Sequence, residues 1–435
     1  MEYAEALTLL EELRQREPDM GTETTQSLLD VHGNPHADLT AVQIAGSNGK
    51  GSTASVLDSI LRKAGLTVGL YTSPGLNDLR GRIRVQGRKI PKHEVVQFVA
   101  DTRPHVVSAE RNESPTFFEV LTAMALWYFE RERVDIAVLE VGIGGRYDAT
   151  SVVDPVAAAV TSVSLEHTEM LGSTVQEIAR DKAQVTPEDA PLVTGASGVA
   201  LETIRDLTEV VTVGGESDVD GPAERTDRSD REASADVQVT ETEMLSRREA
   251  GLTIAWDDWT VRTRTPLLGR HQAVNAGIAA TLARQVAGPS ERDVAAGIRN
   301  VDWPGRFEIV SERPLVVLDG AHNPAACEAL SALLDRFEYD SLVLVFGAMR
   351  DKDHPAMIRA LPPAQRAIFA QPDMSRATDT DVLASVFDRE TSAPVTEAES
   401  VPGAVAGAVE TADPNDCVLV TGSLYVVADA RDRWT

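Results

Sequence analysis

The sequence predicts an α/β fold in two parts, a larger domain with a mostly parallel sheet followed by a smaller α/β domain. Three observations predict it. Short apolar, β-rich runs alternate with amphipathic stretches over most of the chain. A length of 435 residues exceeds what one hydrophobic core usually supports. The alternation is broken by an acidic tract and a polar hinge, after which it resumes.

The first 45 residues read as a helical lead-in, from the amphipathic MEYAEALTLLEELRQREPDM to a turn around HGNPHADLT. Residues 41–45 (AVQIA), 67–73 (TVGLYTS), 135–142 (DIAVLEVG), 157–164 (AAAVTSVS) and 190–195 (APLVTG) read as strands. Helices such as 114–133 (SPTFFEVLTAMALWYFERER) lie between them. Residues 216–243 carry ten acids, three arginines and no aromatic residue. That tract cannot bury enough apolar surface to offset its ordering entropy, so it is expected to be an exposed insertion. A hinge near RNVDWPGRFE, 299–308, precedes strands at 314–323, 341–349, 366–371 and 416–423, with a helix at PAACEALSALLDRF. The expected domains are residues 1–297 and 298–435.

Charge narrows the partners. With 41 basic and 68 acidic residues the net charge is −27, and a surface this negative repels nucleic acid and anionic lipid. Only six of the basic residues are lysine, which with the excess of acid is the composition expected of a protein kept soluble in concentrated salt, a halophilic source. No apolar run is long enough to span a bilayer and the N-terminal helix lacks a signal-peptide core, so a soluble cytoplasmic protein is expected. Cys327 and Cys417 have no disulfide or zinc spacing and read as buried thiols.

The chemistry starts at AVQIAGSNGKGSTASVLDSILRKAG, a strand, a glycine-rich turn and a helix in that order. Gly46, Ser47, Asn48, Gly49, Lys50, Gly51 and Ser52 come close to a P-loop, with one extra glycine between the lysine and the serine. Backbone N–H groups at a helix N-terminus make an anion nest. Lys50 adds a point charge, and Ser52 can reach phosphate or Mg²⁺. The first domain is therefore P-loop-like, the second Rossmann-like. Glu140 closes the strand DIAVLE at the sheet edge where ligands bind in open α/β folds, and a carboxylate opposite a P-loop suits Mg²⁺. His167 follows another strand. Lys182, in EIARDKAQ, would by itself be a surface lysine, and a lone histidine a packed or capping group. Asp319 and His322 lie beyond a strand of the second domain, Arg306 lies at the hinge, and His271, Gln272 and Asn275 lie at a loop-to-helix transition.

Ten segments in this order, GSNGKGS, YTSPGL, TFFEVLTAMA, LEVGIGGRYDAT, LEHTEMLG, LLGRHQAVNA, WPGRFE, DGAHNP, GAMRDKD and TGSLY, resemble the motifs of the folylpolyglutamate synthase and dihydrofolate synthase family, relatives of the Mur cell-wall ligases. The resemblance runs from about residue 30 to 427 and fails mainly in the acidic tract. It implies an ATP-dependent ligase. In such an enzyme the carboxylate of dihydropteroate, or the γ-carboxylate of a reduced folate, attacks MgATP to form an acyl phosphate, and L-glutamate then displaces phosphate. Residues 46–52 would hold the nucleotide phosphates. Ser73 and Glu140 would hold a first Mg²⁺, and Glu140 and His167 a second, which a carbamylated Lys182 would serve. Thr116 and Phe118 would contact the pterin. Asn275, Arg306, Asp319 and His322 would contact nucleotide and glutamate, with closure of the second domain completing the site. K⁺ and a monomeric state are further implications.

The sequence departs from the family at Gly75, where histidine is usual, and after Lys182, where AQV replaces AGI. Two alternatives stay open. One is a Mur-type ligase acting on another carboxylate, against which stand only 45 residues before the P-loop. The other is a P-loop ATPase switch, which would not require the motifs of the second domain.

Overall fold

The computed structural model describes residues 1–14, 21–76, 78–108, 115–215 and 235–435. The described chain divides into two compact units. One comprises Met1–Pro266 with Arg270–Val301, the other Leu267–Gly269 with Asp302–Thr435.

The expected strands form where the apolar runs are, at Ala41–Ala45, Val68–Tyr71, Ile136–Glu140, Pro155–Val160 and Leu192–Thr194. Ala41–Ala45 and Ile136–Glu140 are buried at every position, as strands covered on both faces must be. Ala41–Ala45 is paired in parallel on one side with Ile136–Glu140 and on the other with Pro155–Val160. The chain leaves it toward Val68–Tyr71 on one side and later crosses from Ile136–Glu140 to Pro155–Val160 on the other. The crevice beyond the carboxyl end of Ala41–Ala45 is the ligand position of an open α/β sheet.

The sheet of this unit has 11 strands among the described residues. Its parallel centre is extended at one end by Val237–Ser246, Glu249–Trp256 and Trp259–Thr265, the last three strands, joined antiparallel to one another. At the other end lies the hairpin Ile83–Val85 and Arg88–Lys89. The outermost strands are therefore Trp259–Thr265, with Arg262 and Arg264 exposed, and Arg88–Lys89, exposed at both residues. The helix Glu291–Arg299 packs against Trp259–Thr265.

Two expectations are corrected here. Residues 237–243 belong to a strand with Val237 and Val239 buried, so they are not part of an exposed insertion; residues 216–234 lie outside the described residues. The first unit continues to Val301 because Glu291–Arg299 is bound to the helix Lys50–Lys63. Ser59 Oγ donates to the Gly297 carbonyl at 2.7 Å, and Gly297 lies directly against the Ile60 backbone.

The core beneath the site is a large apolar cluster. The lead-in helix Tyr3–Leu13 contributes Ala6, Leu10 and Leu13, and Phe117–Arg131 contributes most of its length. That second helix starts with a capping box: Thr116 Oγ1 accepts from the Glu119 N–H at 3.3 Å, and Glu119 accepts from the Thr116 N–H at 2.7 Å.

The second unit has a six-stranded sheet, parallel except for the strand Glu308–Glu312. Cys327 and Cys417 are buried in it, and burial pushes both thiols up to about 12, where they are inert. Among the described residues no helix is long and apolar enough to cross a membrane.

Candidate active site

The glycine-rich turn connects Ala41–Ala45 to the helix Lys50–Lys63. Gly49 sits at φ +90°, and a Cβ there would strike the Asn275 side-chain amide. Only glycine fits. Asn275 is 5% exposed and is held by its amide, which donates to Gln272 Oε1 at 3.1 Å. The turn is clamped from the neighbouring strand end: the Ser47 N–H donates to the Ser162 carbonyl at 2.8 Å, the Asn48 N–H to Ser162 Oγ at 3.0 Å, and the Ser164 N–H to Ser47 Oγ at 3.0 Å. The helix that follows has no acid in its first turn, so its positive end faces the crevice unopposed from within the helix. Lys50 Nζ folds back onto the Gly46 carbonyl at 2.8 Å.

Lys182 is not on the surface. It is 1% exposed, at the end of Val175–Lys182, and its Nζ meets Glu166 Oε1 at 2.8 Å. Burial pulls the Lys182 amine below its ordinary value, Lys50 adds to this, and Glu166 opposes it. On Glu166 burial works to raise the carboxyl, but Lys182 and Lys50 outweigh it and hold the group at about 2. Lys50, Glu166 and Lys182 thus form one charged cluster beside the glycine-rich turn, with His167 also acting on Glu166. His167 has left-handed backbone, φ +46° and ψ +40°, at the start of Thr168–Leu171. That is a strained position for a histidine and one that functional sites tolerate.

Glu140 is 4% exposed, opposite Ile44 in register, and its Oε2 accepts from the Ser73 N–H at 2.8 Å. The turn after it is braced by Asp148, whose Oδ2 accepts from the N–H groups of Gly142 and Ile143, both at 2.9 Å. Burial raises the Asp148 carboxyl against those bonds. The Phe118 ring lies against the backbone of Gly142 and 5.8 Å from the Tyr71 ring, so an aromatic face reaches the same sheet edge. The Thr116 hydroxyl is occupied as the helix cap.

The first unit therefore gathers residues 46–52, Asn275, Lys182 and His167 around the turn, with Ser73, Glu140 and Phe118 at neighbouring strand ends. Glu166, Asp148 and the Thr161–Ser164 wall were not anticipated. Glu166 carried one available signal, an acid beside the selected histidine, but nothing in the sequence joins it to Lys182.

Among the described residues no three His, Cys, Asp or Glu side chains converge as a metal cage. Mg²⁺ needs none, since it keeps waters and binds through one or two carboxylates and substrate phosphates. Glu140, a buried carboxylate at the sheet edge beside Ser73, is the donor type such an ion takes. Lys182, held as an ammonium in an ion pair, does not fit one as it stands.

The second unit groups its own candidates. Asp319 follows Leu315–Leu318 and accepts from the Phe307 N–H at 2.7 Å and the Ala321 N–H at 2.8 Å. Burial raises its carboxyl while Arg306 lowers it. Arg306 lies against the Gly320 backbone, and His322 Nδ1 donates to the Gly320 carbonyl at 2.9 Å. Asn323 caps the helix Pro324–Leu334.

The Mur ligase middle domain family matches residues 44–283, and the Mur ligase glutamate ligase domain family matches 305–424. A dihydrofolate synthase/folylpolyglutamate synthase of Bacillus subtilis is 33% identical, covering 92% of this chain and 92% of its own. The chain belongs to the folylpolyglutamate synthase and dihydrofolate synthase family of Mur ligases. A probable bifunctional folylpolyglutamate synthase/dihydropteroate synthase of Haloferax volcanii is 51% identical over the whole of this chain, which spans about half (51%) of that relative's length. Among solved structures, Escherichia coli FolC in complex with DHPP and ADP superposes with a TM-score of 0.83 at 28% identity, covering 100% of this chain and 97% of its own. The α/β fold with a smaller second α/β domain is the fold of this family.

Proposed function

We propose that the chain is an ATP-dependent amide ligase that joins L-glutamate to dihydropteroate, to the γ-carboxylate of a reduced folate, or to both. The observation that carries this is a phosphate cradle and an aromatic platform at one sheet edge. Residues 46–52, Lys50 and the Glu166–Lys182 pair make the first, and Phe118 beside Gly142 makes the second. The named activities of the Bacillus relative and the ADP and DHPP held by the Escherichia coli structure support the same reading.

In this mechanism the turn and Lys50 hold the β- and γ-phosphates, and the acceptor carboxylate attacks the γ-phosphorus as ADP leaves. The glutamate amine then attacks the acyl carbon, phosphate departs and a proton is lost from nitrogen. These residues position reactants and neutralise developing charge, which is what such displacements require. Mg²⁺, held by Glu140, Ser73 and Ser52, would supply further neutralisation of the phosphates. Lys182, on this reading, leaves its ion pair as the neutral amine and adds CO₂ with loss of a proton, and the resulting carbamate turns a cation into an anion. Asn275 lies over the turn as a nucleotide contact, and Arg306, Asp319 and His322 serve nucleotide and glutamate from the second unit. The protein works as a salt-adapted cytoplasmic enzyme.

The test is ADP release in molar KCl with MgATP and L-glutamate, comparing dihydropteroate, a reduced folate and no acceptor, with Lys50→Ala as control. Release only with an acceptor, abolished by the substitution, is the expected result. Release indifferent to acceptor and glutamate would leave an ATPase and end the ligase reading.

A further inference from the structure

Among the described residues Arg82 is a buried cation without a carboxylate partner. It is 5% exposed at the end of Leu79–Arg82, and among the described residues its Nε has no hydrogen-bond partner and its guanidinium no carboxylate. The nearby acid is already spent: Asp78 binds Arg80 at 2.8 Å and Lys89 at 3.2 Å. What Arg82 does touch is the Phe117 ring, 5.1 Å from the guanidinium carbon to the ring centre. A ring face steadies a cation but does not replace an anion, and an unpaired buried charge is costly to keep.

The same loop shows how Arg82 is seated. A Cβ on Gly75 would come within 2.8 Å of Arg82 Cγ and 3.4 Å of its Nε. Any side chain at 75 would push the arginine stem out of its place. The loop leaves the sheet edge where the Ser73 N–H holds Glu140, and Tyr71 beneath it feels the charges of Arg82, Glu140 and Asp148 together. Arg82 therefore stands beside Phe117, at the sheet edge that carries Tyr71, Ser73 and Glu140.

We propose that Gly75 and Arg82 act as one device, in which the missing side chain at 75 seats a guanidinium against Phe117 as the counter-ion for a carboxylate of the acceptor. The planar fork, stacked on the ring and without a carboxylate partner among the described residues, suits a carboxylate. Dihydropteroate carries one carboxylate, the one that reacts; in a folate that group is an amide and the carboxylates are the α and γ of its glutamate, of which the γ reacts, so the chemistry the two acceptors share is the reacting carboxylate. The proposal rests on the ligase reading above.

Steady-state ADP release by the full chain in molar KCl tests it, with dihydropteroate and tetrahydrofolate as separate acceptors. The variants are Arg82→Met, Arg82→Lys, Gly75→Ala and the Gly75→Ala/Arg82→Met pair, each checked by thermal melting. Arg82→Met should raise the acceptor KM by about 30-fold or more, the loss seen when one partner of a buried charge pair is removed, with the KM for ATP held within about twofold. Arg82→Lys should recover part of that loss. Gly75→Ala should raise the acceptor KM, yet add less than about twofold once Arg82 is already methionine, because its effect runs through Arg82. A loss with both acceptors assigns the contact to the carboxylate that reacts. A loss confined to tetrahydrofolate assigns it to the α-carboxylate of its glutamate. If Arg82→Met melts far below the parent, Arg82→Lys and Gly75→Ala carry the test through the same split between the two KM values. An unchanged acceptor KM in Arg82→Met, or effects at 75 and 82 that multiply, would overturn the proposal while leaving the ligase intact. Absence of acceptor-dependent release in the parent chain would instead remove the ligase reading itself.

Discussion

Lys182 and Arg82 are both buried cations in the same unit, 1% and 5% exposed, and they differ in what answers them. Lys182 meets Glu166 at 2.8 Å and is balanced from within the fold. Arg82 has an aromatic ring and, among the described residues, no anion. A charge balanced within the fold can stand before any ligand arrives, whereas one the fold leaves unbalanced is completed by a ligand's charge. The two sides of the site are distinguished by this, and substitutions can break or sharpen the distinction.

The largest effect is expected from Lys182→Met, which strands the Glu166 carboxylate in the interior. A loss of about 3–5 kcal/mol in denaturant unfolding is expected, together with loss of acceptor-dependent turnover. A variant as stable as the parent would mean that Glu166 finds another partner. Glu166→Gln breaks the pair from the other side, and acid titration reads it. The Glu166 carboxyl, ordinarily near 4.5, is held at about 2 in the fold. The stabilisation it contributes is therefore complete above pH 4.5 and is lost as pH falls through the folded value. That shift corresponds to something on the order of 3 kcal/mol. Unfolding free energies between pH 5 and 2, measured for parent and Glu166→Gln, should converge toward the acid end; parallel curves would refute the assignment.

Asn275→Ala should act on the phosphate side alone, raising the KM for ATP by roughly tenfold while the acceptor KM stays put, since one hydrogen-bonding group over Gly49 is lost. Thr116→Ala removes the cap of the helix that bears Phe117 and Phe118, and a fall in stability of about 1 kcal/mol is expected. The smallest effect on the ligand-free fold belongs to Arg82→Met. Its melting temperature should equal or exceed the parent's, because the substitution removes a charge that no described residue balances. A large fall would show that Arg82, like Lys182, is balanced within the fold.

The parallel core was legible because strands covered on both faces must read as unbroken apolar runs, as AVQIA and DIAVLE do. The strand Val237–Ser246 was not, since only Val237 and Val239 are buried and the Thr and Glu of residues 240–243 look like the acidic tract before them. The glycine-rich turn announced itself by spacing. Glu166 and Lys182 did not, because 16 residues and a capped helix separate them, and only the fold brings them together. Arg82 sat in the RGR of a loop whose path the sequence leaves open, and the glycine that seats it registered only as a departure from a familiar pattern.

The ends of the 11-stranded sheet have a consequence for crowding. In a chain of net charge −27 the outermost strands are among its basic places, Arg262 and Arg264 on one side, Arg88 and Lys89 on the other. In concentrated salt, charge acts over only about 3 Å, so the acidic surface no longer keeps copies apart at a distance. What still acts at contact is chemistry at the rim. A second copy adding its strand to either edge would have to desolvate these long cationic side chains and lay them beside their own kind. The sheet thus carries its own stop signals, whose relative importance grows wherever added salt screens the rest of the surface.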